Sequence, residues 1–367
     1  MPDQGPLQSG STEVRQLMNE LLAIERHRWQ EAAREERFRN LLLAELLVAE
    51  SGRFEEACPE KAEELANLAR MIADQPYPGL LVARVDRILA RSYALQGNVR
   101  RLSGDRHGAE ERFQKAASAL TGPPNGVERA FYCQRLACLR EEQGHVEEAT
   151  ALLWRAVGIF REARAMEAQG ACLSRIAFLF LHGNELEPAS RLFAQARGLL
   201  TFECSPALAA RCSLGMALCL AALGQGEPAR SLRMESRVLG EVVLDSRVLL
   251  ELDWLEGRLA LHLGEHQEAI ATLCSVRRRL FVQRRLLDVA LCSLDLARVF
   301  VATEQAARVQ ELIDEMQVVF PVSLDQVRML VALHDFLESA RSGKDMDGAA
   351  LEAVDLIRRP MAILKKL

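Results

Sequence analysis

The sequence predicts an all-α protein, a solenoid of paired helices with a helical cap at each end. Three observations predict it. Residues 93–316 repeat every 40 positions, six times, with no insertion or deletion. Within each repeat, small and bulky residues stand three and four apart, the spacing of one helix face. Gly or Asn separates most of the helical stretches, and no alternating strand pattern is visible.

The columns carry the physics. A small residue opens each repeat: Gly97, Ala137, Ala177, Ala217, Gly257 and Ala297. A turn residue follows: Gly104, Gly144, Asn184, Gly224, Gly264 and Glu304. Next comes a second small position at Ala109, Ala149, Ala189, Ala229, Ala269 and Val309. A bulky position follows at Phe113, Leu153, Phe193, Arg233, Leu273 and Ile313, then a third small or medium one at Ala116, Ala156, Ala196, Ser236, Val276 and Met316. Small residues let two helix axes approach to about 8–10 Å, and the bulky one fills the groove of the next unit. Gly or Asn past a helix end takes the left-handed conformation and satisfies the last carbonyls. One pair cannot bury its own apolar face, so the stack is the cooperative object. Arg233, Glu304 and Val309 depart from their columns, which weakens the pattern in the fourth and sixth units.

These columns resemble the tetratricopeptide repeat. Its small–turn–small–aromatic–small pattern matches at Gly97, Gly104, Ala109, Phe113 and Ala116, and again at Ala137, Gly144, Ala149, Leu153 and Ala156. The usual unit is about 34 residues; the longer period is similar to the long-helix form of kinesin light chains and Pins-type polarity adaptors. Through residues 95–101, 108–113 and 289–297 the array is also similar to uncharacterised bacterial tetratricopeptide proteins. The resemblance implies a right-handed α-solenoid of tetratricopeptide-like helix pairs over residues 80–320. It implies that the first helix of each pair lines a concave groove. The function implied is a non-enzymatic adaptor or regulatory subunit binding a partner helix or peptide there. The alternative is a peptide-sensing regulator, or the regulatory partner of a bacterial signalling or defence effector. The Lys/Asn carboxylate clamp of chaperone cofactors is missing, because Asn98 follows Ala94 and not a Lys.

Composition narrows the classes. The formal net charge is −5 with both signs mixed, which argues against general nucleic-acid affinity. No signal-peptide pattern is visible and no apolar run is long enough to span a membrane. Nine cysteines without a CxxC spacing suggest a reduced, cytoplasmic compartment. No cofactor is expected.

Taken in order, residues 1–12 are rich in Pro, Gly and Ser and are expected to be disordered. Residues 13–79 are expected to form an N-terminal helical cap containing a degenerate repeat. Thr12 is a candidate cap for a long helix, whose charge-dense middle around Trp29 and Phe38 packs on the first unit. Gly52 echoes the turn column. After the array, Pro321 ends a helix and residues 321–367 form a C-terminal helical cap, closed by a short amphipathic tail.

Each chemical motif has a simpler explanation in the repeat. His262, Glu265 and His266 spell the inverted zinc-protease pattern, but Gly264 falls in the turn column and splits the helix the motif needs. Cys172, Cys212 and Cys292 share a column, with Cys133 beside it; they read as small buried hydrophobes, not ligands. Arg277, Arg278, Arg279, Arg284 and Arg285 form the strongest basic cluster. They read as a cationic helix end, with an acidic protein partner as the second reading. Carrying the family's groove onto this chain gives partner-binding candidates Phe131, Gln134, Phe178, Arg211, Leu214, Leu218, Trp254, Arg258 and Arg298. This lining has an apolar middle and cationic flanks, so it fits a helix or peptide with acidic flanks. A terminus of the same chain filling the groove is the competing expectation.

Overall fold

The computed structural model describes residues 5–55, 58–78, 81–120, 126–200 and 205–319, together with Asp335, Phe336, Ser339 and Ala353. Every regular element among them is helical. The chain divides into two compact units, residues 1–141 with 147–164, and residues 142–146 with 165–367.

The first unit opens with α1 (Gly5–Ala23), α2 (Trp29–Ala32), α3 (Leu41–Phe54) and α4 (Pro59–Ala73), with 3-10 turns at Arg26–Arg28 and Glu36–Phe38. The sequence suggested one long helix starting near Glu13. Instead Thr12 lies inside α1, and the helix breaks where Glu25 and Glu35 turn extended, with ψ 134° and 141°. The charge-dense stretch has too few apolar residues for a continuous buried stripe. Breaking it folds Ala32, Ala33 and Phe38 into the core of α1, α3 and α4, with Trp29 packed against that core. Trp29 donates its indole N–H to the Ile24 carbonyl at 2.7 Å. Asn40 caps α3, accepting from the Leu42 N–H at 2.9 Å. The expected packing therefore holds, in a different conformation. Gly52 lies inside α3 and not at a turn.

The pairs α5 (Val82–Leu102) and α6 (Arg106–Ala119), then α7 (Gly126–Glu142) and α8 (Val146–Glu162), follow. The second unit continues with α9 (Met166–His182) and α10 (Leu186–Leu199), then α11 (Pro206–Ala222) and α12 (Gly226–Gly240). It ends with α13 (Ser246–His262) and α14 (His266–Val282), then α15 (Leu286–Ala302) and α16 (Ala306–Val319).

Every turn column residue takes the left-handed conformation. Gly104, Gly144, Gly224 and Gly264 have φ of 76–81°, and Asn184 and Glu304 have φ of 59° and 58°. Glu304 therefore keeps the turn despite its side chain. Arg164 and Arg284, between pairs, also lie at positive φ (55° and 56°). The second small column is fully buried in all six pairs, Val309 included. Within the second unit, Phe193 closes on Gly215, where an added Cβ would stand 2.3 Å from its ring; only a glycine admits this approach.

Arg233 is the exception in the bulky column, and it is buried at 7% exposure. Its guanidinium reaches three carboxylates. Nε donates to Glu256, Nη1 to Glu265 and Nη2 to Glu268, each at 2.6 Å. A buried charge is tolerable only when so fully paired. Helices α13 to α16 share one core, to which Phe336 and Ala353 also belong. The rest of the C-terminal cap expected over residues 321–367, and residues 1–4 of the expected disordered start, lie outside the described residues. Among the described residues no helix is long and apolar enough to cross a membrane.

Candidate partner-binding face

In each unit the first helices of the pairs are linked by side chains that reach from one helix to the next. In the first unit the centre is Glu55, at the end of α3 and buried. Arg135 of α7 binds it through two hydrogen bonds of 2.7 Å, and Asn98 of α5 donates to it at 2.9 Å. Arg101 in turn donates to Asn98 at 2.7 Å. Phe131 lies one helical turn from Arg135, with Arg91 over its ring at 4.9 Å and Arg135 at 5.7 Å. Its other edge meets Phe160 of α8 at 5.1 Å. Burial, then the neighbouring Arg135, pushes the Arg91 guanidinium below its usual range. Gln134 is half-buried beside this cluster in sequence.

In the second unit the links run from α9 to α15. Arg211 of α11 lies 5.6 Å over the ring of Phe178 in α9, whose edge meets Phe193 at 4.8 Å. Arg211 also pairs with Glu251 of α13 at 3.3 Å. One turn on, Trp254 donates its indole N–H to Asp295 of α15 at 2.8 Å. Arg258 and Arg298 approach the same carboxylate at 3.8 and 3.9 Å. Phe178, Arg211, Trp254, Arg258, Asp295 and Arg298 are all partly exposed.

Two candidates are corrected. Leu214 and Leu218 are 0% and 1% exposed, so they are core residues and not a lining. The reason is the character of α11: Ala210, Cys212, Ser213, Gly215, Ala217 and Cys219 are buried with them. Apart from Arg211 and Ser213 the helix is apolar, and α9, α10, α12 and α13 pack around it. The apolar middle inferred from sequence is thus filled by the unit itself. The arginines also differ from expectation, since each already faces a carboxylate of its own chain.

Asp295 and Glu55 are the functional candidates that periodicity missed, because neither belongs to a repeated column. A signal was present for Asp295, a carboxylate in the apolar middle of α15 with Arg298 one turn on. Glu55 had none beyond its place at a helix end.

The remaining motifs resolve simply. His262 ends α13, Leu263 and Gly264 turn the chain, and His266 begins α14. Cys133, Cys172, Cys212 and Cys292 are buried thiols. In the basic cluster, Arg277 donates to Ser293 and Glu315, both at 2.8 Å, Arg279 to Asp253, and Arg285 to Asp288 at 2.7 Å.

No family model matches the chain, and no curated protein matches it. Solved structures do. The crystal structure of Rap protein complexed with competence and sporulation factor superposes with a TM-score of 0.61 at 14% identity, over 89% of this chain and 99% of that one. Aspartyl phosphate phosphatase F from Bacillus subtilis superposes at 0.52 and 17% identity, over 98% of this chain and 97% of that one. The fold is a tetratricopeptide-like helical repeat. At these identities the likeness concerns the backbone architecture.

Proposed function

We propose that this protein is a non-enzymatic binding module, an adaptor or regulatory subunit, that holds a peptide or helical segment against the first-helix face of its second unit. Phe178 and Trp254 supply apolar anchors, and Arg211, Arg258 and Arg298 supply cationic flanks for a ligand with acidic ends. The observation that carries the reading is a contrast in tightness. Pairs made by second helices of this unit, Arg197–Glu235 and Arg233–Glu256, stand at 2.6–2.7 Å. Those on the face stand at 3.3–3.9 Å. A ligand carboxylate can therefore share Arg211 with Glu251 by a small shift, forming a charge-assisted bond where the internal one is long. Aromatic and Arg side chains are also the groups that most often carry binding energy. The first unit's Phe131, Gln134 and Arg91 offer a smaller face of the same kind. The bound factor in the Rap complex supports a ligand-sensing regulator as the form this binding takes.

A peptide array tests it. Binders with apolar centres and acidic flanks are expected, and Phe178→Ala or Arg211→Glu should weaken them by roughly tenfold or more, which is about 1.4 kcal/mol. Thermal melts should shift little. Binding that survives both changes sinks the assignment of this face.

A further inference from the structure

The N-terminal cap holds a cleft that the repeat does not require. Its volume is about 480 Å³, within the usual size of small-molecule sites, about 300–1,000 Å³. Asn67, Arg70, Met71 and Asp74 line it from α4 and its C-terminal cap. They stand three and four apart, so they share one helix face. The opposite side of α4 goes to the core through Leu65, Ala69 and Ile72. Arg34, just past α2, and Gln75 and Pro76, just past α4, complete the lining with Gln30. Hydrogen bonds hold this arrangement in place. Gln75 donates to the Ala33 carbonyl at 2.6 Å, which ties the end of α4 to the end of α2. Arg39 donates to the Pro76 carbonyl, and the Tyr77 hydroxyl to the Ile72 carbonyl at 3.1 Å.

The polar groups left over indicate the ligand. Arg70 gives Nη1 to Asp74 at 2.6 Å, while its Nε–H is enclosed and has no acceptor. Asn67 accepts at its side-chain oxygen from Gln96 at 3.0 Å, and Gln96 is 1% exposed. That buried partner fixes the Asn67 amide and leaves its NH2 group to the cleft. Among the described residues no hydrogen bond or ion pair engages the Arg34 guanidinium. The cleft therefore has donors in excess, and an enclosed donor without an acceptor is costly. Two guanidinium groups and one carboxylate line it, a net charge of +1. One ligand carboxylate balances that charge; a phosphate dianion would meet repulsion from Asp74. Met71 and Pro76 offer apolar surface to a short carbon chain. The Gln75 side-chain oxygen is left as an acceptor for a hydroxyl or ammonium group.

We infer that this cleft binds a small amino or hydroxy acid. Arg34, the Arg70 Nε–H and the Asn67 NH2 group hold its carboxylate by charge-assisted hydrogen bonds, and Gln75 receives its hydroxyl or ammonium group. The site belongs to the first unit and does not depend on the peptide reading of the second.

Calorimetric titration of the full chain tests the inference, with the common L-amino acids, lactate and malate as probes. At least one is expected to bind with a Kd of about 1 mM or tighter, and its carboxamide is not. Arg34→Glu changes an exposed side chain without a partner, so the fold should be untouched. Asn67→Asp keeps the acceptor for Gln96 and replaces only the donor. Each should weaken binding by about tenfold or more. Arg211→Glu, in the other unit, should leave it unchanged. Absence of binding by every probe at about 10 mM overturns the inference. So does a carboxamide that binds as well as its acid, or binding that survives both Arg34→Glu and Asn67→Asp.

Discussion

Arg233 occupies a position where its counterparts are Phe, Leu or Ile, and it is kept there by three glutamates. Two of them, Glu265 and Glu268, are partly exposed, whereas Glu256 is mostly enclosed. Removing the guanidinium leaves Glu256 in the interior with only its longer contact to Arg237, at 3.3 Å. Arg233→Ala should therefore cost about 2–4 kcal/mol, near the range for breaking a buried pair and reduced for the exposed partners. Arg233→Leu combined with Glu256→Leu should recover most of that loss, since apolar groups of similar size often replace buried ion pairs without penalty. Urea unfolding of the single and double variants decides it; a single variant as stable as wild type would mean the network does no net stabilising. The same scale separates two inner-column residues. Leu218→Asp puts a charge into a closed core and should cost about 3–5 kcal/mol. Phe178→Ala, at a partly exposed ring, should cost less than the full core value of about 3–5 kcal/mol.

The helix pair is the scale at which the sequence was most readable. Spacing of small residues follows from how closely two helices can approach, and that constraint recurs in every pair, so it appears as a column. The turn follows likewise, and even Glu304 obeys it. An L residue in the left-handed region costs about 1–2 kcal/mol. Around Gly224 an added Cβ would meet nothing within 4 Å, so the cost of Gly224→Ala is conformational alone. It should lower stability by about 1 kcal/mol. Glu304→Gly should raise it by a fraction of that, because the unfolded glycine gains freedom as the folded strain is relieved. Calorimetry of both variants checks the opposite signs. Ala189→Leu and Ala269→Leu, at fully buried positions, should each overpack an interface at about 1–3 kcal/mol. What failed at this scale was the N-terminal region, where charge density looked like a single helix. Its breaks depend on Asn40 capping α3 and on Phe38 reaching a core assembled from other helices, and neither is a local property.

Across the whole molecule, the face was less legible than the fold. Inner-column positions are defined by period, but their exposure depends on which neighbours enclose each helix. Phe178 and Leu218 stand in one column, yet only the second is sealed, because four helices pack around α11. Asp295 and Glu55 occur once each, and a residue without a repeat leaves no column to read. The cysteines give a test that covers both units. Cys58 is exposed, while Cys133 in the first unit and Cys172, Cys212, Cys219 and Cys292 in the second are buried. Burial raises the thiols of Cys133, Cys212 and Cys292, and pushes Cys219 up to about 12. A thiol reacts as its thiolate, so these groups should be silent in the native state. Cys58 should label within minutes at pH 8, and the others only as fast as their helices open. The sign of the pH effect follows from the same shifts. A folded pKa above the unfolded value means the folded state holds its proton longer. The associated stability is complete below the unfolded thiol value of about 8.5 and is lost as pH rises from there toward the folded value. Melting temperature should therefore fall between about pH 8.5 and 11, and Cys219→Ala with Cys292→Ala should flatten that fall. Mass spectrometry of labelled peptides gives the order of reaction. Early labelling of Cys212 or Cys219 in folded protein would mean that α11 is not the enclosed helix described, and Leu214 and Leu218 would then return as candidates for the binding face.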